Sequence, residues 1–317
     1  MSYQEVRSPR IYINLLDMLS TRGYITNLNP IFRTLPVSPT PYATAIVNTI
    51  PNILTDNAFV AILGHQLGSN ETGFDVDGWE ISSVENIVNS EVEGGGILPE
   101  YDGFSITAFD GTGMESLKLE MGAWTLNLGS IIFGTFHDLA PHSPDLSLTM
   151  TREYGGIKHI ETKGGNTLSN ANWIAQPLWG DLPPWELDDG SGAIPKELGR
   201  SGRRICDLSF SFIKGSDAFG PNQLLQKSLY TIQAPDNLET SDYDSFNFYE
   251  DNLLTDENIF SLINKTNGGL NSFLLQTDKS DYALDNFAIA RFDQTSFKFT
   301  QVANTLYNFR CKIRECW

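Results

Sequence analysis

The stretch FAIARFDQTSFKFTQVANTLYNFRCKIRECW, Phe287 to Trp317, decides how this chain is read. Near its end Tyr307, Phe309, Cys311 and Ile313 alternate with Asn308, Arg310, Lys312 and Arg314. A period of two belongs to a strand, whose successive side chains point to opposite faces of a sheet. Apolar residues on one side and cations on the other describe a sheet with one buried and one solvated face. Upstream, Ser272–Gln276, Phe287–Phe292 and Ser296–Thr300 read as further strands. RSGRRICDLSFSFI, Arg200 to Ile213, follows the same plan. Cys206, Leu208, Phe210 and Phe212 face one way, and Asp207, Ser209 and Ser211 the other.

Outward from these strands the pattern stays mostly β. Leu146, Leu148 and Met150 alternate with Ser147, Thr149 and Thr151. Gly155-Gly156, Ile157–Thr162 and Gly164-Gly165 then spell a hairpin. One amphipathic helix interrupts the strands. Thr255 is its expected N-cap, Ile259, Phe260 and Ile263 its apolar stripe, and Asn267-Gly268-Gly269 its stop. In the first half, Ala43–Val47, Phe59–Leu63, Gly103–Phe109 and Trp124–Phe136 read as strands. The run Ala58–Gly64 is continuously apolar and is expected to be buried on both faces. Gly129 and Gly134 are expected to break their stretch as bends or bulges. Ile11–Leu19 fits either a short helix or a strand.

These patterns predict a mainly-β fold of two β-sandwich-like domains, 1–142 and 143–317, the second carrying the helix and so of α+β type. The division is placed at Ala140–Pro144, where two prolines flank a polar pair. A loop over 166–200 holds Trp173, Trp179 and Trp185 with four prolines, and loops of that length are usually functional or interfacial.

Composition limits the function. The 317 residues carry a net charge of −18, which repels phosphate backbones and anionic membranes and argues against tight nucleic-acid binding. No apolar run approaches the roughly 20 residues that a bilayer requires. The first residues lack the form of a secretory signal, so folding in a cytoplasm is expected. Cys206, Cys311 and Cys316 have no framework or zinc spacing and are expected to be free thiols. His65, His137, His142 and His159 show no metal-binding spacing, and Asp75-Val-Asp77-Gly78 reads as an aspartate-rich turn rather than a calcium loop. No nucleophile elbow, phosphate loop or dinucleotide fingerprint is present. The acidic pairs Asp188-Asp189 and Glu250-Asp251 are the nearest approach to a glycosidase pair. No catalytic residue, metal or cofactor is therefore expected.

Charge is unevenly placed. Arg200, Arg203 and Arg204 precede one core strand, and Arg310, Lys312 and Arg314 line another. Ser228–Asn264 holds eight acids and neither lysine nor arginine. Basic and acidic patches of this kind match surfaces on neighbouring copies. The three tryptophans of the long loop are expected to plug the edge of their own sandwich or to form a subunit contact, with a glycan platform as the alternative.

Three stretches, SPDLSLTMTREYGGIKHIETKGGNTLSN, RSGRRICDLSFSFI and the pair FSLINKTNGG with Phe287–Trp317, together resemble distal-tail or baseplate proteins of tailed bacteriophages. FVAILGHQL and NLGSIIFGTFHDL resemble pieces of a discoidin-like or carbohydrate-binding-module-like sandwich. The first resemblance implies a non-enzymatic virion subunit, assembled in the host cytoplasm and forming a ring, with a hexamer expected, that joins the tail tube to tip proteins. The family usually places its ring domain first, whereas here the matching half is second. The alternatives are a receptor- or glycan-binding tail protein acting through the N-terminal sandwich, and a glycan-degrading tail enzyme.

Overall fold

A computed structural model of the chain describes residues 7–34 (apart from 24, 26 and 27), the strands within 40–47 and 74–98, residues 54–65 (apart from 55), 103–112, 117–121, 126–139, 145–171 (apart from 154–156), 203–218 and 258–316 (apart from 283–285). The first-half strands are β1 (Arg10–Asn14), β2 (Thr40–Tyr42), β3 (Thr44–Val47), β4 (Ala58–His65), β5 (Phe74–Asp77), β6 (Val84–Val88), β7 (Glu91–Glu93), β8 (Gly96–Leu98), β9 (Gly103–Phe109), β10 (Leu117–Met121), β11 (Leu126–Leu128) and β12 (Ser130–Asp138). The second half adds β13 (Asp145–Glu153), β14 (Ile157–Glu161), β15 (Thr167–Ala171), β16 (Arg203–Lys214), β17 (Phe273–Gln276), β18 (Phe287–Phe292), β19 (Phe299–Ala303) and β20 (Leu306–Glu315). Among the described residues the helices are short: α1 (Leu15–Thr21), the single turn α2 (Gly215–Ala218), α3 (Ile259–Lys265) and a 3-10 turn at Pro30–Phe32. The fold is mainly β, as its alternating pattern predicts.

An 11-stranded sheet in the order β13-β16-β20-β18-β17-β1-β12-β4-β9-β6, with β19 beside β20, organises the molecule. Its strand pairs are antiparallel. Strand β1 bonds to β12 on one side and to β17 on the other, so the sheet is continuous across residues 142/143. Smaller sheets are β3-β10-β5-β8-β7, β11-β2 and the hairpin β14-β15.

The ambiguous Ile11–Leu19 run is both of its readings in succession. Strand β1 turns into α1 at Asn14, whose Oδ1 accepts from the Asp17 N–H at 3.2 Å and caps the helix. The same side chain donates from Nδ2 to the Phe32 carbonyl at 2.7 Å, so this buried polar group is satisfied. Opposite Asn14 lies Gly134. It neither bends nor bulges the strand, contrary to expectation. Instead it lets two backbones approach, because a Cβ there would sit 1.9 Å from the Ile13 carbonyl oxygen.

Both faces of the middle strands are core. On one face Ile13, Val60, Ile62, Ile131 and Phe133 pack with α1 and α3, and this cluster continues to Leu208, Phe210, Phe309 and Ile313 of the C-terminal strands. On the other face Tyr12, Phe59, Phe104, Ile132 and Phe287 form a second cluster. Ala58 to Leu63 are 0% exposed throughout, the doubly buried strand that their unbroken apolar run predicts.

Helix α3 starts later than expected. Asn258 is its cap, accepting from the Ser261 N–H at 2.7 Å, and Thr255 lies outside the described residues. Its buried stripe is Ile259, Leu262 and Ile263, while Phe260 is exposed. The stop is as read: Asn267 has φ 51°, and the Gly268 N–H reaches back to the Ile263 carbonyl at 2.9 Å. Lys265 is fully buried, its Nζ 3.1 Å from Nε2 of His137 on β12. Burial and this cation hold the His137 ring well below its ordinary pKa, so it accepts the bond as a neutral ring.

Three further expectations are revised. The loop expected over 166–200 yields its start to β15, which pairs Thr167 with Glu161 and Ala171 with Ile157. Asp75-Val-Asp77 lies in a strand rather than a turn, since β5 pairs with β10 and β8. Phe212 leaves the core row: a bulge between Phe210 and Ile213 gives it φ 58° and 50% exposure, and Ile213 takes the buried place.

Candidate functional site

The outward face of β13, β16, β20 and β18 gathers the polar residues that their alternation predicts. Antiparallel register sets them in rows across the sheet. One row runs Ser147, Ser209, Arg310, and the next Thr149, Asp207, Lys312. A third runs Thr151, Ile205, Arg314 and Arg291. Behind these rows Cys206, Leu208, Phe210, Phe309, Cys311 and Ile313 are buried, so β16 and β20 each have one wet and one dry side.

An open groove of about 600 Å³ crosses this face, lined by Ser147, Thr149, Asp207, Ser209, Gln294 and Lys312 among others. Its wall is built where the partner of β20 changes from β19 to β18. There the Lys312 N–H donates to Gln294 Oε1 at 2.9 Å and the Asp293 N–H to the Lys312 carbonyl at 2.8 Å. Gln294 thus stands in for a strand across the junction. The floor offers hydroxyls, one carboxylate and the cations of β20.

The predicted interface residues divide. Arg310 is exposed on the rim. Lys312 is half-exposed, with Nζ 3.7 Å from Asp293. Arg314 donates from Nη2 to Glu153 on β13. Arg203, half-buried, lies opposite Glu153. Arg204 has another role: its backbone N–H donates to Glu315 Oε2 at 2.8 Å, its guanidinium lies 3.3 Å from Oε1, and it donates to the Phe287 carbonyl. With side-chain exposures of 11% and 3%, Arg204 and Glu315 form an internal ion pair that binds β16 to β20 and β18. Arg200, Trp173, Trp179 and Trp185 lie outside the described residues. The sequence reading missed Arg291 and Gln294. Arg291 is the lone exposed residue of β18, and a single cation inside FAIARF was the available signal.

Several other groups with chemical potential are enclosed, while His159 on the exposed strand β14 has Nδ1 2.8 Å from Ser169 Oγ. His65 Nε2 lies 2.7 Å from Ser105 Oγ, a contact of the serine-base kind, yet both residues are 0% exposed. Burial pushes the His65 ring down to about 3, so it stays neutral. Burial raises the Cys206 and Cys316 thiols to about 11 and Cys311 further, which keeps all three protonated at neutral pH. Among the described residues no group of three or more His, Cys, Asp or Glu is placed to hold a metal ion, and no helix is long and apolar enough to cross a membrane.

Comparison with protein families, with curated proteins and with solved structures returns no match.

Proposed function

We propose that this chain is a structural subunit of a bacteriophage tail tip or baseplate, of the distal-tail kind, which assembles with copies of itself into a ring between the tail tube and the tip proteins. One observation carries the reading. In the half that resembles such proteins, β16 and β20 bury one face and turn a row of cations outward, with Arg310, Lys312 and Arg314 in successive rows on β20. Ser228–Asn264, with eight acids and no cation, supplies a segment of opposite sign in every copy. A ring needs head-to-tail contact between unlike patches, and opposite charges give such a contact its register. The net charge of −18 suits a conduit to which passing DNA should not adhere.

Sedimentation velocity on the purified chain tests this reading, paired with mass-spectrometric and electron-microscopic location of the protein in virions. The expected result is a higher-order species at low salt that dissociates as salt rises. A monomer at every concentration, with no place in a virion, overturns it.

A further inference from the structure

We propose that strand β13 is a docking edge for a second copy of this chain: two β13 strands pair antiparallel about a two-fold axis at Leu148 and join two sheets into one. Strand β13 stands at the end of the 11-stranded sheet, bonded to β16 on one side, and no described strand lies along its other side. An open edge presents unpaired N–H and C=O groups, and natural sheets guard such edges with bulges, lysine, proline or shortness. The other edges of this sheet are guarded. Strand β6 is five residues long with a register shift between Asn86 and Val88, and β19 is five long with a shift between Gln301 and Ala303. By contrast β13 runs nine residues in unbroken register with β16, and residues 146–151, LSLTMT, hold no charge, proline or glycine. Ser147 and Thr149 to Glu153 are exposed.

The dry face of the sheet also stops short at this edge. Register sets Leu148 opposite Leu208 and Met150 opposite Cys206, and both of those partners are buried. Leu148 is half-buried against the main cluster, but Met150 is 45% exposed. The apolar row therefore leaves the core of one copy and ends in solvent.

The sequence of β13 complements itself. When two such strands pair about Leu148, Leu148 meets Leu148 and Met150 meets Leu146 of the second copy. On the other face Ser147 meets Thr149 and Asp145 meets Thr151. Apolar residues then oppose apolar ones, hydroxyls oppose hydroxyls or a carboxylate, and no like charges meet. Neighbouring registers do worse. Centring on Thr149 sets Asp145 against Glu153, and centring on Met150 sets Leu148 against Arg152. A slip of one residue turns the dry row of one copy to the wet row of the other. The contact is isologous, and main-chain hydrogen bonds supply its affinity. Its paired side chains carry almost no charge, so it stands apart from the charged head-to-tail contact of the ring proposal.

Sedimentation velocity of the full chain in about 1 M sodium chloride, where the screening length is about 3 Å, suppresses the charged contact and leaves this one. A reversible dimer is expected there, with association at least tenfold weaker in Met150→Lys, whose exposed position tolerates the change within one copy. Oxidation by diamide reads the register. Leu148→Cys sets two thiols on one rung at the axis, within disulfide reach, and should yield a covalent dimer. Met150→Cys leaves its two thiols four residues apart along the paired strands, about 13 Å, and should yield none. The natural chain, with Cys206 and Cys311 buried and Cys316 half-buried, sets the background. A monomer at high salt, an undiminished dimer in Met150→Lys, or equal cross-linking of the two cysteine variants overturns the proposal. Failure of the ring reading shows separately, as the absence at low salt of any species larger than the dimer.

Discussion

Strands β4 and β12 belong to the same sheet as β16 and β20, yet they live in different solvents. In β4 and β12 both rows of side chains are core, with Phe59 and Ile132 on one side and Val60 and Phe133 on the other, all at 0% exposure. In β16 and β20 only one row is. The apolar face runs unbroken from the first half of the chain to the second, while the opposite face changes from core to a charged surface at β18. Arg291 marks the change, because Phe287 and Ile289 before it on the same face are still buried in the second cluster. Burial on two faces makes a strand intolerant of change, and burial on one leaves the other row open to recognition.

The sharpest way to break this contrast is to place the same carboxylate on each kind of strand. Ile132→Asp buries an unpaired charge in the second cluster, at a cost of about 5 kcal/mol or more, comparable to a domain's entire stability. Ser209→Asp, on the wet row opposite Arg310, is expected to change stability by no more than about 0.5 kcal/mol. Urea denaturation of both variants decides; similar losses would remove the distinction. Gly134→Ala comes next, because its Cβ meets backbone rather than a side chain that can swing away. A loss of about 3 kcal/mol is expected in the same assay.

Acid separates the regions further, since His65 lies in β4 and His137 in β12. Both rings are held neutral by burial, with Lys265 adding to the effect at His137. Their folded pKa values lie below the ordinary 6.5, so the unfolded chain binds these protons first as pH falls. The stability that the neutral rings provide is complete above pH 6.5 and declines below it, by up to about 1.4 kcal/mol per pH unit for each ring. Denaturation midpoints between pH 7 and 5 measure the slope, and His65→Gln should remove about half of it. The smallest change in stability belongs to Arg310→Ala, expected to stay within about 0.5 kcal/mol. Its readout is sedimentation at low salt, where weaker self-association is expected; an unchanged species would take Arg310 out of the contact surface.

Alternation made the one-sided strands legible. Tyr307 to Arg314 and Cys206 to Phe210 could be assigned residue by residue, because each row has one solvent and one chemistry. The doubly buried run at Ala58 was equally plain. What escaped depends on partners far along the chain. Nothing local in Arg10–Asn14 announces that it pairs with both Ser130–Asp138 and Phe273–Gln276. The bulge that expels Phe212 is fixed by neighbours on β20, where Asn308 Oδ1 accepts its N–H at 3.1 Å. The Arg291–Arg314 rung escaped for a related reason: the two residues are 23 positions apart in sequence and become neighbours only through register.

The place of β1 in the sheet has a consequence for synthesis. Tyr12 donates its hydroxyl proton to Gln276 Oε1 at 2.8 Å, across 264 positions of sequence. At about 5–20 residues per second, a ribosome needs roughly 13–50 s to deliver the second partner after the first strand has emerged. For that interval β1 waits with at least one flank open, and any chaperone or sister chain that meets it then competes with its own distant partner strand.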